Sequence, residues 1–175
     1  MNFNAFALVH IRKYFIYTIK IAILQAMLSK KAKYAINALV YLAQQPLNEP
    51  IHISTIASNE NISRKFLESI LLVLRNGGMV NSKKGKDGGY YLSLPPEEIN
   101  MADVMRTFDG PIALLPCVTH KYYQKCNECK DEAHCGIRDV FSDIRRETVR
   151  MLKDASLAEI VKRATSLYET APAEE

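Results

Sequence analysis

The sequence predicts a mainly α fold with a small β wing: a winged helix-turn-helix followed by a long C-terminal dimerisation helix. Three observations predict it. Two short helical patterns are separated only by Glu60-Asn61-Ile62, a turn of helix-turn-helix length. The stretch "VNSKKGKDGGYYLSL", residues 80–94, follows the second pattern at once and reads as a hairpin. Further on, Ile137, Phe141, Ile144, Thr148, Met151 and Leu152 form one stripe on a helix whose other face is dense in charge.

The chain has 175 residues, 48% of them hydrophobic and 24% charged, an ordinary composition for one globular domain with an appendage. Its formal charge of +4 is unevenly placed. Residues 1–26 contain Arg12, Lys13 and Lys20 and no acid, and the remaining 20 basic and 19 acidic side chains nearly cancel. A polyanionic partner must therefore be argued from local clusters rather than from net charge. The run Tyr14–Ala26 contains Lys20 and is too short for a good membrane span. Residues 1–26 are read as an N-terminal extension upstream of a natural start at Met27, the alternative being an extra surface helix. No membrane partner is expected.

Residues 27–96 are expected to form the winged helix-turn-helix. From Ser29 to Gln45, Ala32, Ala35, Ile36, Leu39, Leu42 and Ala43 recur at helical spacing, and Pro46 and Pro50 mark the loop that follows. Ser54 is the expected N-cap of a short helix ending near Asn59, and Ser63 that of the next. In this second helix Phe66, Leu67, Ile70, Leu71 and Leu74 make the buried stripe, and Gly77-Gly78 stop it. Arg64, Lys65 and Glu68 lie away from that stripe, near the end that enters the major groove in a helix-turn-helix. Arginine and lysine donate to guanine edges or phosphates, and glutamate accepts from the cytosine amino group. A solvated helix face is the bland alternative.

The hairpin strengthens the DNA reading. Lys83, Lys84 and Lys86 put cations on a tip flanked by Gly85, Gly88 and Gly89. A thin cationic finger beside a reading helix suits a DNA backbone or a minor groove. A nucleotide-binding loop is disfavoured, because the stretch lacks the Walker spacing. The expected DNA-contacting set is Arg64, Lys65, Glu68 and Ser69 on the helix with Lys83, Lys84, Lys86 and Tyr90 on the hairpin. The expected partner is double-stranded DNA carrying a palindromic operator.

Residues 97–135 are read as a short helix and a cysteine-rich sensing loop. Asn100 caps Met101–Phe108, and Asp109-Gly110-Pro111 ends it. All four cysteines then fall in one window as Cys117-x8-Cys126-x2-Cys129-x5-Cys135. Such clustering favours a metal or redox site, and thiolate-rich sites suit zinc or iron–sulfur clusters. Free thiols or a reversible disulfide remain open, with His120 and His134 as nearby substitutes. Residues 136–170 supply the long helix, whose stripe is expected to be covered by a second copy, the alternative being packing within its own chain, and a last helix opened by the capping box Ser156-Leu157-Ala158-Glu159. No Ser/His/Asp or paired-carboxylate arrangement stands out, and the CxxC lacks the βαβ context of thiol oxidoreductases. An enzyme is not expected.

The stretches "MLSKKAKYAINALVYLA" and "NISRKFLESILLVLRNGGMVNSKKGKDGGYYLSLPPEEINMADVMRTFDG", with the cysteine loop before a long helix, resemble the IscR/NsrR-type (Rrf-two family) winged-helix transcription regulators over about residues 27–165. The resemblance implies a cytoplasmic homodimer that binds operator DNA through the second helix and the wing. It implies a loop that senses redox, iron–sulfur or nitric oxide status through a cluster, here of the two-iron two-sulfur type, with zinc as the alternative. By the same resemblance Glu68 influences base choice, Lys84 stands where a wing arginine reaches the minor groove, and Cys117, Cys129 and Cys135 are the cluster cysteines. Departures are the additional Cys126, Arg138 in place of a ligand histidine, Lys33 in place of a ligand aspartate, and Lys86-Asp87 where the wing usually has proline and glycine. Cys126 is the candidate fourth ligand. The remaining alternative is a zinc- or thiol-switch-stabilised winged-helix interaction module without a cluster.

Overall fold

The computed structural model describes residues 28–170, so the extension 1–26 falls outside the described residues. Six α-helices and one two-stranded sheet follow in the order α1 (Lys30–Ala43), α2 (Ile53–Asn59), α3 (Arg64–Asn76), β1 (Val80–Lys83), β2 (Gly89–Leu92), α4 (Met101–Asp109), a 3-10 turn (Pro116–Val118), α5 (Gly136–Asp154) and α6 (Leu157–Thr170). The mainly α fold with a β wing is the predicted class.

Local chemistry sets most boundaries. Ser29 caps α1 by accepting from the Ala32 amide at 3.1 Å, while its own amide donates to Asp109 Oδ2 at 3.1 Å. Asn100 caps α4 by accepting from the Asp103 amide at 3.1 Å. Three caps differ from expectation, the first being Ser63, which stands at the N-cap of α3 without a side-chain capping hydrogen bond. α2 starts at Ile53 with His52 as N-cap, because the imidazole Nδ1 accepts from the Ser54 amide and Ser54 itself sits inside the helix. Only half of the capping box before α6 forms. Ser156 Oγ accepts from the Glu159 amide at 3.2 Å, but the Glu159 carboxylate turns to Arg163, 2.8 Å away. That ion pair holds the Glu159 carboxyl below its usual range.

The α2–α3 turn is tight because Asn61 takes the left-handed conformation (φ 50°), which asparagine tolerates better than most residues. The Ile62 amide then donates back to Ala57 O at 2.9 Å, and the Ile62 side chain is buried. Leu67, Ile70, Leu71 and Leu74 of α3 pack inward on Leu39 of α1 and Ile56 of α2. Each such side chain, fully buried, contributes about 1.5–3 kcal/mol. Phe66, expected in the same stripe, is half-buried and meets Tyr34 edge to face at 5.7 Å.

The core does not stop at residue 96. Val104 of α4 and Leu157 of α6 are fully buried in the same cluster. The Leu157 amide donates to Ile99 O at 2.8 Å and the Met101 amide to Ala155 O at 3.1 Å, so the chain closes back onto the start of α4. Ala32, Ala35 and Ala38 are buried on α1, which packs against α3, α4 and α6. α5, by contrast, buries no residue. Ile137 is 66% exposed, Val140 55% and Met151 65%.

Candidate nucleic-acid interface and cysteine segment

α3 is held by its apolar face, and this leaves Arg64, Lys65, Glu68 and Ser69 outside. Among the described residues none of Arg64, Lys65 and Glu68 enters an ion pair, whereas about half of the charges of α5 and α6 are paired along their own helices. Ser69 Oγ donates to Phe66 O at 2.7 Å. This hydroxyl still has lone pairs for a further donor. Leu72, 46% exposed, extends the same face one turn on.

The hairpin pairs Val80 with Leu92, Asn81 with Tyr91, Ser82 with Tyr90 and Lys83 with Gly89. Val80 and Leu92 are buried and root it in the core, while Lys83, Lys84 and Lys86 are exposed at the far end. The glycines have another role than the sequence reading gave them. A Cβ on Gly89 would collide with the backbone of Ile51, and one on Gly88 with that of Lys83. Ile51 and Tyr90 exchange two backbone hydrogen bonds of 2.9 Å there, adding the α1–α2 loop to the sheet. Two of the three glycines thus serve close approach within the chain. Only Gly85, with open space around it, is left to thin the tip. Tyr90 is half-buried and packs against the core, unlike the other seven residues of the expected DNA-contacting set.

One contact was not legible in the sequence. Arg75 Nη1 donates to Ser82 Oγ at 3.4 Å, linking the end of α3 to β1. The two residues meet across the Gly77-Gly78 turn, and no periodicity marks such a pair.

In the cysteine segment, Cys135 is the N-cap of α5. Its sulfur makes no capping hydrogen bond, but the nearby backbone amides of Arg138 and Ile137, with the Cys129 thiol, hold Cys135 below the ordinary thiol range. Cys129, hydrogen-bonded to Cys135 and close to Cys126, is pushed up to about 12. The two shifts describe one arrangement, with the Cys129 thiol as donor and the Cys135 sulfur as acceptor. Cys126 Sγ donates to Glu128 Oε2 at 3.1 Å, which keeps the Glu128 carboxyl low. Cys117 lies apart in the 3-10 turn, buried, its carbonyl accepting from Arg138 Nε at 3.3 Å. Arg138 therefore braces the turn from α5. Tyr123 donates to Glu132 Oε2 at 2.5 Å, while Glu132 Oε1 is buried without a partner.

The four thiols have the chemistry of a cluster or zinc site but are not assembled as one. Among the described residues no group of three or more cysteine, histidine, aspartate or glutamate side chains is arranged to hold an ion. The structure brings Cys126, Cys129 and Cys135 near each other and leaves Cys117 outside.

Comparison with known proteins was made against this geometry. Residues 28–163 match the family described as Rrf2, iron-dependent transcriptional regulator. A protein of Rhodobacter capsulatus named as an rrf2-like HTH-type transcriptional regulator is 41% identical over 121 residues, 67% of this chain and 81% of its own. The HTH-type transcriptional regulator CymR of Bacillus subtilis is 30% identical over 121 residues, 69% of this chain and 84% of its own. The solved structure of CymR, the global cysteine regulator of B. subtilis, aligns with a TM-score of 0.64 at 27% identity, covering 78% of this chain and 97% of that one. IscR of T. potens aligns with a TM-score of 0.62 at 25% identity, covering 85% and 93%.

Proposed function

The chain belongs to the Rrf2 family of transcriptional regulators, and we propose that it works as a homodimer that reads a palindromic operator and takes its signal through the cysteine segment. The observation that carries the DNA reading is the unpaired face of Arg64, Lys65 and Glu68 beside the exposed lysines of the wing. Arg64 and Lys65 would donate to guanine edges or phosphates, Glu68 would select among bases, and Lys83, Lys84 and Lys86 would follow the backbone. Tyr90 would act from its packed position by orienting the wing. The bare stripe on α5 supports the dimer, and two copies would present two α3 helices to successive major grooves. The proposal includes a cytoplasmic location, where the operator is. No helix of the described residues is long and apolar enough to cross a membrane.

Sensing is proposed for residues 117–135. α5 begins at Cys135, so a change at that sulfur acts on the first turn of the proposed dimer helix. A two-iron two-sulfur cluster on Cys117, Cys126, Cys129 and Cys135 is the reading suggested by resemblance. It requires Cys117, buried in the 3-10 turn, and the other three sulfurs to be brought together. The contact between Cys129 and Cys135 favours a second reading, a thiol switch, with zinc binding as a further variant. Redox state or nitric oxide would be the signal in either case.

The test begins with a duplex selected from random sequence by the purified protein. Saturable binding to a two-fold symmetric site, lost when one half-site is scrambled, is the expected result. Equal affinity for selected and scrambled duplexes would remove the operator claim. The same protein, purified without oxygen, separates the sensing readings. Visible charge-transfer absorption with stoichiometric iron and sulfide indicates a cluster, stoichiometric zinc indicates the variant, and titratable free thiols without metal indicate the switch. Operator affinity that is identical in reduced, oxidised and metal-stripped protein would refute sensing altogether.

A further inference from the structure

A concave site separate from the reading helix and wing lies between the end of α4, the 3-10 turn and the outer flank of α5, with a volume of about 490 Å3. Its size is that of a small-molecule pocket. Its wall is unusual for a chain whose body is almost neutral. Arg106, Arg138, Arg145, Arg146 and Lys153 line it, His120 joins them, and no acidic side chain does.

Two of the five cations have partners on their own helices, Arg106 with Asp103 at 3.1 Å and Arg146 with Asp143 at 2.7 Å. These are exposed pairs of neighbouring turns, which solvent screens. Arg138, Arg145 and Lys153 have no acidic partner among the described residues. Arg138 uses its Nε on the Cys117 carbonyl, which leaves its terminal nitrogens free of any acid. Arg138 and Arg145 are half-buried, so their charges are less screened than those of a solvated helix face. Thr119 and Ser142 also line it, their hydroxyls donating to Pro116 O and Arg138 O, so the guanidinium and ammonium groups are its donors.

We propose that this cavity binds a compact multivalent oxyanion, a small molecule with two or more phosphate or carboxylate groups within a few ångströms. Guanidinium groups from two helices match such a ligand, because each presents a planar fork of donors to an oxyanion. A duplex is the poorer occupant, since no residue of α3 or the wing lines the cavity. Nor would pairing of α5 through its apolar stripe close it. At about 100° per residue, Ile137, Ile144 and Met151 centre on a direction well over a quarter turn from that of Ser142, Val149 and Lys153. A bound anion would pull Arg138 and Arg145 together beside the turn that carries Cys117. This gives the signal segment a small-molecule input independent of its sulfur chemistry.

The probes are sodium pyrophosphate and citrate, each titrated calorimetrically into the full chain at 0.15 M potassium chloride. One saturable site per chain is expected for at least one of them, tighter for pyrophosphate if the natural group is phosphate and for citrate if it is carboxylate. Arg145→Gln with Lys153→Gln should weaken binding at least tenfold, and Lys162→Gln on α6, outside the cavity, should leave it unchanged. Arg146→Gln with Lys153→Gln, both at the exposed rim, is the second variant should the first disturb folding or association, and it should also weaken binding. Absence of saturable heat for both probes, or wild-type affinity in both double variants, would overturn the assignment. So would a random duplex that raises the apparent Kd without limit in proportion to its concentration, since the cavity would then be a DNA-backbone contact.

Discussion

A methyl group at position 89 would fall onto the backbone of Ile51, where two hydrogen bonds join the loop to the wing. Gly89→Ala should therefore destabilise the protein by about 1–3 kcal/mol, the usual range for overpacking, and a urea melt would measure it. Position 136 is the contrast. Nothing lies within 4 Å of a Cβ there, and the residue opens α5. Gly136→Ala should stabilise by about 0.4–1 kcal/mol through the unfolded chain. The two glycines look alike in the sequence and have opposite expected effects. Composition revealed that the hairpin was glycine-rich, but whether a glycine faces a ligand or the chain's own backbone depends on a loop some forty residues away in sequence.

Single elements carry the functional surfaces. The wing presents three exposed lysines beyond a root fixed by Val80 and Leu92. If each neutralises one phosphate, replacing Lys83, Lys84 and Lys86 by alanine should lower the slope of log affinity against log salt by up to about 0.9 per lysine. Fluorescence anisotropy over a salt series would show this, and an unchanged slope would mean that the wing stands off the duplex. α5 is the other such element. Its apolar stripe lies on one helix as expected, and the structure leaves Ile137, Ile144, Thr148 and Met151 exposed while Phe141 and Leu152 are half-buried, Leu152 against the core. Ile144→Asp should convert a dimer to monomer in analytical ultracentrifugation and leave the monomer folded, because Ile144 is 42% exposed.

At the scale of the whole molecule, the reading head and the C-terminal segment share one core. Leu157 is fully buried among side chains of the head, and its amide is tied to Ile99. Leu157→Ala should cost about 2–5 kcal/mol. The loss should appear as one cooperative transition at lower denaturant rather than as separate unfolding of α6. Two transitions would show that the C-terminal helix is an appendage. This shared core also gives α5 a route to α3. The helix is anchored at one end by the Arg138–Cys117 contact and at the other by α6 in the core that positions the reading helix.

The sequence by itself determined what depends on near neighbours. Helix periods, the Asn100 cap, the short turn before α3 and the outward face of Arg64, Lys65 and Glu68 all follow from residues a few positions apart. It also placed four cysteines in one window. Only the tertiary structure decided how those free thiols group, with Cys129 beside Cys135 at the start of α5 and Cys117 buried in the 3-10 turn. It alone revealed the link from Arg75 to Ser82 and the cationic cavity formed by α4, the 3-10 turn and α5. The physical reason is the same in each case. Backbone geometry fixes which side chains of one helix share a face, whereas contacts between distant segments depend on how those faces pack around a common core, and no local spacing encodes that.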